Sequence, residues 1–177
     1  MKRYIPILCA VVLLVASSVL AGEPFPDVTL SGQLTADQRA YLGVSSDEFK
    51  ISDIKGEYLF IEGYSMYCPI CQRDAPRVNA VFDTISAADT KGQIKFVGIA
   101  LGNTAYEVAF YQKKYTVDFP IFKDENYTIH KALGEVGTPT FYIVKLGPTP
   151  EILYKHVGEA KDKNVLLQVI KEKTGLN

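Results

Sequence analysis

The stretch Phe60-Ile61-Glu62-Gly63-Tyr64-Ser65-Met66-Tyr67-Cys68-Pro69-Ile70-Cys71 decides how this chain reads. Tyr58 to Ile61 is continuously apolar and β-prone, as in a strand buried on both faces, and Glu62 interrupts the run. After Cys68 the apolar positions Ile70, Val78, Val81, Phe82 and Ile85 mostly recur at helical spacing, which predicts a helix to about Ala88, kinked near Pro76. Cys68 then stands at a helix start, where unpaired N–H groups and the positive helix end favour a thiolate. Pro69 costs little there, because the N–H it lacks would have had no partner. Two cysteines three residues apart in a first turn come within disulfide range, so the pair can switch.

The order of roles follows from position. A free thiol of pKa about 8.5 is only roughly 3% ionised at pH 7, whereas one lowered to about 7 is roughly half ionised. Cys68 is therefore the expected nucleophile, and Cys71, deeper in the turn, the thiol that resolves a mixed disulfide. A static disulfide would close too small a loop to restrict the unfolded chain much. Structural zinc would need two further ligands, and only His130, His156 and carboxylates remain.

Working outward, Glu23-Pro24-Phe25-Pro26 is stiff and extended, Val28 to Leu30 suits a short edge strand, and Ala36 to Leu42 a short helix with a capping box at Thr35 and a stop at Gly43. Phe49 and Ile51 alternate with polar neighbours as in a strand, and Ser52 to Gly56 reads as a turn or a single helical turn. Downstream, Ile94 to Leu101 reads as a strand, Ala105 to Tyr115 as a helix, Phe119 to Phe122 as a strand, and Glu125 to Leu133 as a helix ended by Gly134. Thr140 to Lys145 and Ile152 to Val157 form an expected antiparallel hairpin, and Val165 to Lys171 a closing helix. The alternation implies an α/β fold, a central mixed β-sheet with helices on both faces.

With 177 residues, 47% of them hydrophobic, the chain has room for one ordinary domain, and its net charge of −1 supplies no field to draw in nucleic acid. Lys2 and Arg3 precede an apolar run from Ile7 to Val15, and Val19-Leu20-Ala21 suits a cut after Ala21. Residues 1–21 thus read as a signal peptide, with an uncleaved membrane anchor as the alternative, and 24–177 as the folded domain. Export places the protein in the periplasm or another extracytoplasmic space. Cys9 falls inside the discarded run, which leaves Cys68 and Cys71 as the only thiols, in a compartment where disulfides persist.

The segment from Phe60 to Cys71, continuing to Asp74-Ala75-Pro76, resembles the strand, active-site loop and kinked helix of thioredoxin-fold proteins. Gly137-Thr138-Pro139-Thr140 is similar to that family's cis-proline loop, which packs against the active-site disulfide. The region from Phe96 to Phe122 resembles the insert of the TlpA/ResA-like branch, related to the AhpC/TSA redoxins, which includes exported reductases used in cytochrome c maturation. The departures are Tyr64 and Tyr67 where tryptophans are usual, and a longer segment from Ser31 to Asp47.

The resemblance implies a thiol-disulfide oxidoreductase, more a reductant of protein disulfides than an oxidant, with no cofactor beyond the Cys68-Cys71 disulfide. It implies protein thiol or disulfide substrates, with a membrane electron donor and an apocytochrome c-type protein as partners. Thr138 and Pro139, with Tyr67 and Pro69 beside the nucleophile, are the expected substrate contacts. Glu62 lies six residues before Cys68, where thioredoxins carry a buried acid that helps deprotonate the second cysteine. Asp74, one helical turn after Cys71, matches an acid of the TlpA/ResA-like pattern and competes for that role. Against both stands a plainer reading, with Glu62 reaching water at a strand end and Asp74 on a solvated helix face.

Two other functions compete. A peroxiredoxin-like peroxidase would need a proline where Ile61 stands, although Ser65 fits its pattern. A copper-binding chaperone of thioredoxin fold would use both cysteines and a distant histidine, chemistry suited to Cu(I), but the cysteine spacing is one residue short. His130 and His156 read as surface or packing residues.

Overall fold

A computed structural model describes residues 22–160 and 162–176, so the expected signal segment lies outside the described residues. In chain order the elements are β1 (Glu23–Pro24), β2 (Thr29–Ser31), α1 (Ala36–Leu42), β3 (Glu48–Lys50), β4 (Tyr58–Tyr64), α2 (Pro69–Ala88), β5 (Ile94–Leu101), α3 (Ala105–Tyr115), β6 (Ile121–Asp124), α4 (Thr128–Ala132), β7 (Thr140–Lys145), β8 (Glu151–Val157) and α5 (Lys163–Thr174). Six strands form one mixed sheet in the order β1-β8-β7-β4-β5-β6, and β2 pairs with β3 in a separate ribbon. β4 runs parallel to β5 and antiparallel to β7, and β5 runs parallel to β6.

Side chains alternate across each strand, so the sheet has two cores. Phe60 and Tyr64 of β4, Phe96 of β5 and Phe141 of β7 join Cys71, Val78, Val81, Tyr111, Leu166 and Ile170 on the side covered by α2, α3 and α5. Leu59, Ile61, Val97, Ile99, Tyr142 and Val144 meet Leu30, Leu42, Phe49 and Ile129 on the other side, beneath α1, α4 and the ribbon. This is the expected mixed sheet with helices on both faces.

Several elements differ from their sequence-based expectation; α5 begins two residues earlier and ends three later than Val165 to Lys171, and Ile51 opens a single 3-10 turn, Ile51–Asp53, where the alternation predicts that β3 continues. Glu62 does not interrupt β4: the strand continues to Tyr64, with Glu62 opposite Gly98 on one side and Phe141 on the other. β6 begins at Ile121, two residues late, although Pro120 still accepts the Gly98 N–H at 2.9 Å; proline can accept from a neighbouring strand but not donate to it. α4 starts at Thr128, three residues late, because the buried Asp124 carboxylate takes the N–H groups of Ile129 at 2.9 Å and His130 at 2.8 Å and so sets the helix start. Pro76 lies inside α2 without ending it.

The long segment from Ser31 to Asp47 is the connection of the β2-β3 ribbon, and α1 within it has a clear task. β6 pairs only with Gly98 to Leu101, which leaves the first half of β5 an open edge. Tyr41 of α1 covers it, its hydroxyl accepting the Phe96 N–H at 2.8 Å, while Lys95 Nζ lies 4.8 Å from the ring centroid. Tyr41→Phe leaves that N–H without a partner and is expected to lower stability by about 1 to 2 kcal/mol, read as a lower urea midpoint with an unchanged slope.

Candidate active site

The site assembles at the C-terminal end of the central strand. Cys68 is the N-cap of α2, and its Sγ accepts the Cys71 N–H at 3.3 Å. Both thiols are free; Cys68 is half-buried and Cys71 fully buried. The Cys68 thiol donates to the Thr138 carbonyl at 3.4 Å, and the Thr138–Pro139 bond beside it is cis. Pro69 and Tyr67, on either side of the half-buried Cys68, are exposed, whereas Pro139 is buried. The structure thus brings together, from positions 70 residues apart, the two motifs that the sequence suggested.

The environments of the two thiols differ in sign. Burial raises the Cys68 pKa, but hydrogen bonds from the Cys71 thiol, the Thr138 side chain and the N–H groups of Cys71 and Ile70 together bring it below the ordinary thiol value. Cys71 is pushed far up, first by burial, then by its hydrogen bond to Cys68 and by the negative charges of Cys68 and Glu62. Cys68 is the ready nucleophile, and Cys71 needs a proton acceptor before it can attack.

Glu62 is suited to be that acceptor. It projects between Phe60 and Tyr64 toward α2 and is 3% exposed, which excludes the solvent-facing reading. Its Oε1 has no hydrogen-bond partner among the described residues. Burial, then the charges of Asp74 and Cys68, push its pKa up to about 8.

Asp74 is also fully buried, so the solvated-face reading fails for it as well. Its carboxylate is engaged, however: Oδ2 accepts the Ala160 N–H at 2.9 Å and Oδ1 lies 3.0 Å from Arg77 Nη2. Burial raises its pKa, while the Ala160 N–H and Arg77 pull it back. Arg77 Nη1 donates to the Ala160 carbonyl at 2.6 Å, and Arg73 and Arg77 both pair with Glu159 at 3.1 Å. Asp74 and Arg77 thus clamp the backbone after β8 onto α2. Asp74→Asn is expected to cost about 2 kcal/mol of stability and to leave the pH profile of thiol exchange unshifted, as chemical denaturation and stopped-flow kinetics would read.

Sequence reasoning missed the residues that hold the loop before Cys68. Asn103, fully buried after β5, accepts the Met66 N–H at 2.9 Å, and Gln72 donates to the Met66 carbonyl at 2.6 Å. Tyr67 donates its hydroxyl to Glu107 of α3, and the Tyr111 hydroxyl donates to the Cys71 carbonyl at 3.1 Å. The hint in the sequence was a polar Asn two residues after an apolar strand. The histidines are occupied elsewhere: His130 Nε2 is 2.8 Å from the Val136 carbonyl, and His156 Nε2 is 3.3 Å from that of Glu159.

Comparison with known proteins places these observations in a family. A sequence model described as the AhpC/TSA family matches residues 21–151. The chain is 21% identical over 138 residues to thiol-disulfide oxidoreductase ResA of Geobacillus thermodenitrificans, covering 77% of this chain and 71% of that one. Among solved structures, a thiol:disulfide interchange protein of the thioredoxin family from Chlorobium tepidum superposes with a TM-score of 0.62 at 20% identity, over 86% of this chain and 96% of the other. A secreted Mycobacterium tuberculosis disulfide oxidoreductase homologous to E. coli DsbE superposes with a TM-score of 0.61 at 17% identity, over 82% and 96%.

Proposed function

The chain belongs to the AhpC/TSA family and is a thiol-disulfide oxidoreductase, and from that premise we propose that it is exported and reduces protein disulfides at Cys68 and Cys71. The observation that carries the reading is the opposite perturbation of two thiols in one helical turn, beneath the Thr138 carbonyl. The Cys68 thiolate attacks a substrate disulfide, forming a Cys68–substrate disulfide and releasing the first substrate sulfur as thiolate. Cys71 gives its proton to Glu62 and attacks Cys68 Sγ, which releases the second substrate sulfur. The substrate gains two electrons and the protein is left with a Cys68-Cys71 disulfide, which a dithiol donor must reduce again.

Thr138, Pro139, Tyr67 and Pro69 frame the path to Cys68, and the Thr138 backbone suits strand-like pairing with an extended substrate. Export rests on the composition of residues 1–21. An apocytochrome c-type substrate and a membrane electron donor are the partners that the resemblance to the TlpA/ResA-like branch implies. The test is the Cys68-Cys71 reduction potential, measured against glutathione or dithiothreitol, together with turnover of a scrambled or oxidised model protein. A potential near that of thioredoxin supports the reducing direction, and one near that of a strong oxidant such as DsbA overturns it.

A further inference from the structure

We propose that Asn103 and Glu107, on either side of the start of α3, are positioning residues: they hold Met66 and Tyr67 in the turn shape that places Cys68 at the N-cap of α2. The inference deepens the oxidoreductase reading and rests on it. The Cys68 N–H donates to the Ser65 carbonyl at 3.0 Å, so Ser65 to Cys68 form a turn with Met66 and Tyr67 at its centre. Such a turn bonds only its outer residues to each other, and its central peptide rotates unless something outside holds it. Here it is held from two helices. The Met66 N–H donates to Asn103 Oδ1 at 2.9 Å, Gln72 Nε2 of α2 donates to the Met66 carbonyl at 2.6 Å, and the Tyr67 hydroxyl donates to Glu107.

The two holding groups are themselves fixed. Gly102, at φ 69°, turns the chain after β5, its N–H donating to the Asp124 carbonyl at 3.0 Å, and the Asn103 N–H donates to the Ala100 carbonyl at 3.1 Å. Glu107 Oε2 accepts the N–H and hydroxyl of Thr104 at 2.7 and 2.9 Å, which leaves Oε1 for Tyr67. Asn103 Nδ2 is buried without a partner among the described residues. An amide in that position costs stability, and the bond to Met66 is what its side chain gains there. The consequence falls on the nucleophile. Cys68 Sγ accepts the Cys71 N–H while Cys68 keeps the extended backbone of an N-cap, φ −82° and ψ 113°. When the central peptide of the turn rotates, the sulfur leaves the helix end and its thiolate loses the N–H groups that favour it. The titratable groups that face Cys68 are Cys71 of α2 and Glu62 of β4, and the loop before β7 faces it with Thr138, which does not titrate.

The experiment follows initial attack by Cys68 on a small aryl disulfide by stopped flow from pH 4 to 9, in the Cys71→Ser background alone and combined with Asn103→Ala or Tyr67→Phe. Glu62 is common to all three proteins. Losing the stabilisation of an N-cap lowers the thiolate fraction about fivefold at acid pH, and the more basic thiolate that remains reacts about twofold faster. For Asn103→Ala the rate is therefore expected to fall about two- to threefold at low pH and to rise about twofold on the high-pH plateau, so that its profile crosses that of the background. A general loosening of the site lowers the rate at every pH and gives no crossing. Tyr67→Phe removes one hydroxyl from a residue that is 67% exposed, so it leaves the fold intact, and it should give the same crossing, smaller in size. Profiles that superimpose on the background or stay parallel to it, in Tyr67→Phe or in a folded Asn103→Ala, overturn the proposal while leaving the oxidoreductase reading intact. A wild-type chain that reduces no disulfide overturns that reading and the proposal with it.

Discussion

Cys68→Ser and Cys71→Ser should each lower turnover of a protein disulfide by at least about a thousandfold, yet only Cys71→Ser should accumulate a covalent adduct with substrate. Cys68 is half-buried with its pKa lowered, so it forms the mixed disulfide whether or not Cys71 is present. Without Cys71 nothing within reach attacks that bond, and the adduct persists. In Cys68→Ser the remaining active-site thiol, Cys71, is fully buried with its pKa raised, and it does not meet substrate at a useful rate. Non-reducing electrophoresis and mass spectrometry of the trapped species read the result. Adducts carried by Cys71, or equal trapping by both variants, would reverse the assignment of roles.

Glu62→Gln should produce the second large effect, and in two opposite directions. Kinetically, loss of the proton acceptor should slow resolution of the Cys68 mixed disulfide about a hundredfold and flatten its rise with pH, with initial attack little changed. Thermodynamically, the variant should be the more stable protein. The Glu62 carboxyl has its pKa raised from 4.5 to about 8 in the fold. The unfolded chain therefore releases this proton at lower pH than the folded one, so wild type is at full stability below about pH 4.5 and loses stability as pH rises toward about 8. The gap between variant and wild type should open across that window and reach the order of 4 kcal/mol at its upper end. Calorimetry from pH 4 to 9 measures it; a constant difference across the range would mean that Glu62 ionises normally in the fold.

The parts legible in the sequence were those whose cause is local. Cys68 at a helix start, the capping box at Thr35 and the strand at Thr140 follow from spacing and from residues a few positions apart. Glu62 could not be placed from its own neighbours, because an acid after an apolar run ends a strand or sits within it according to what pairs beyond it. Pairing with Gly98 and Phe141 decides the matter here. Asp124 moved the start of α4 through a side-chain bond that spacing does not reveal, and Asn103 holds a loop 37 residues away. Nothing in the pattern of the short helix Ala36 to Leu42 assigns Tyr41 a role, yet it closes the edge of a strand 55 residues on.

β4 is hydrogen-bonded along both of its sides, and this sets the order in which the molecule opens. Backbone amides flanked by two ladders exchange with solvent only when large cooperative units come apart, whereas loops and edge strands exchange through small local fluctuations. The amides around Glu62 should therefore be among the slowest to exchange deuterium, while those of Ser65 and Tyr67 and of Val136 to Thr138 exchange early. The acid is thus fixed on the slowest-opening part of the sheet, and the segments that admit a partner are drawn from the fast-opening part, so that substrate can come and go without the proton site ever being uncovered.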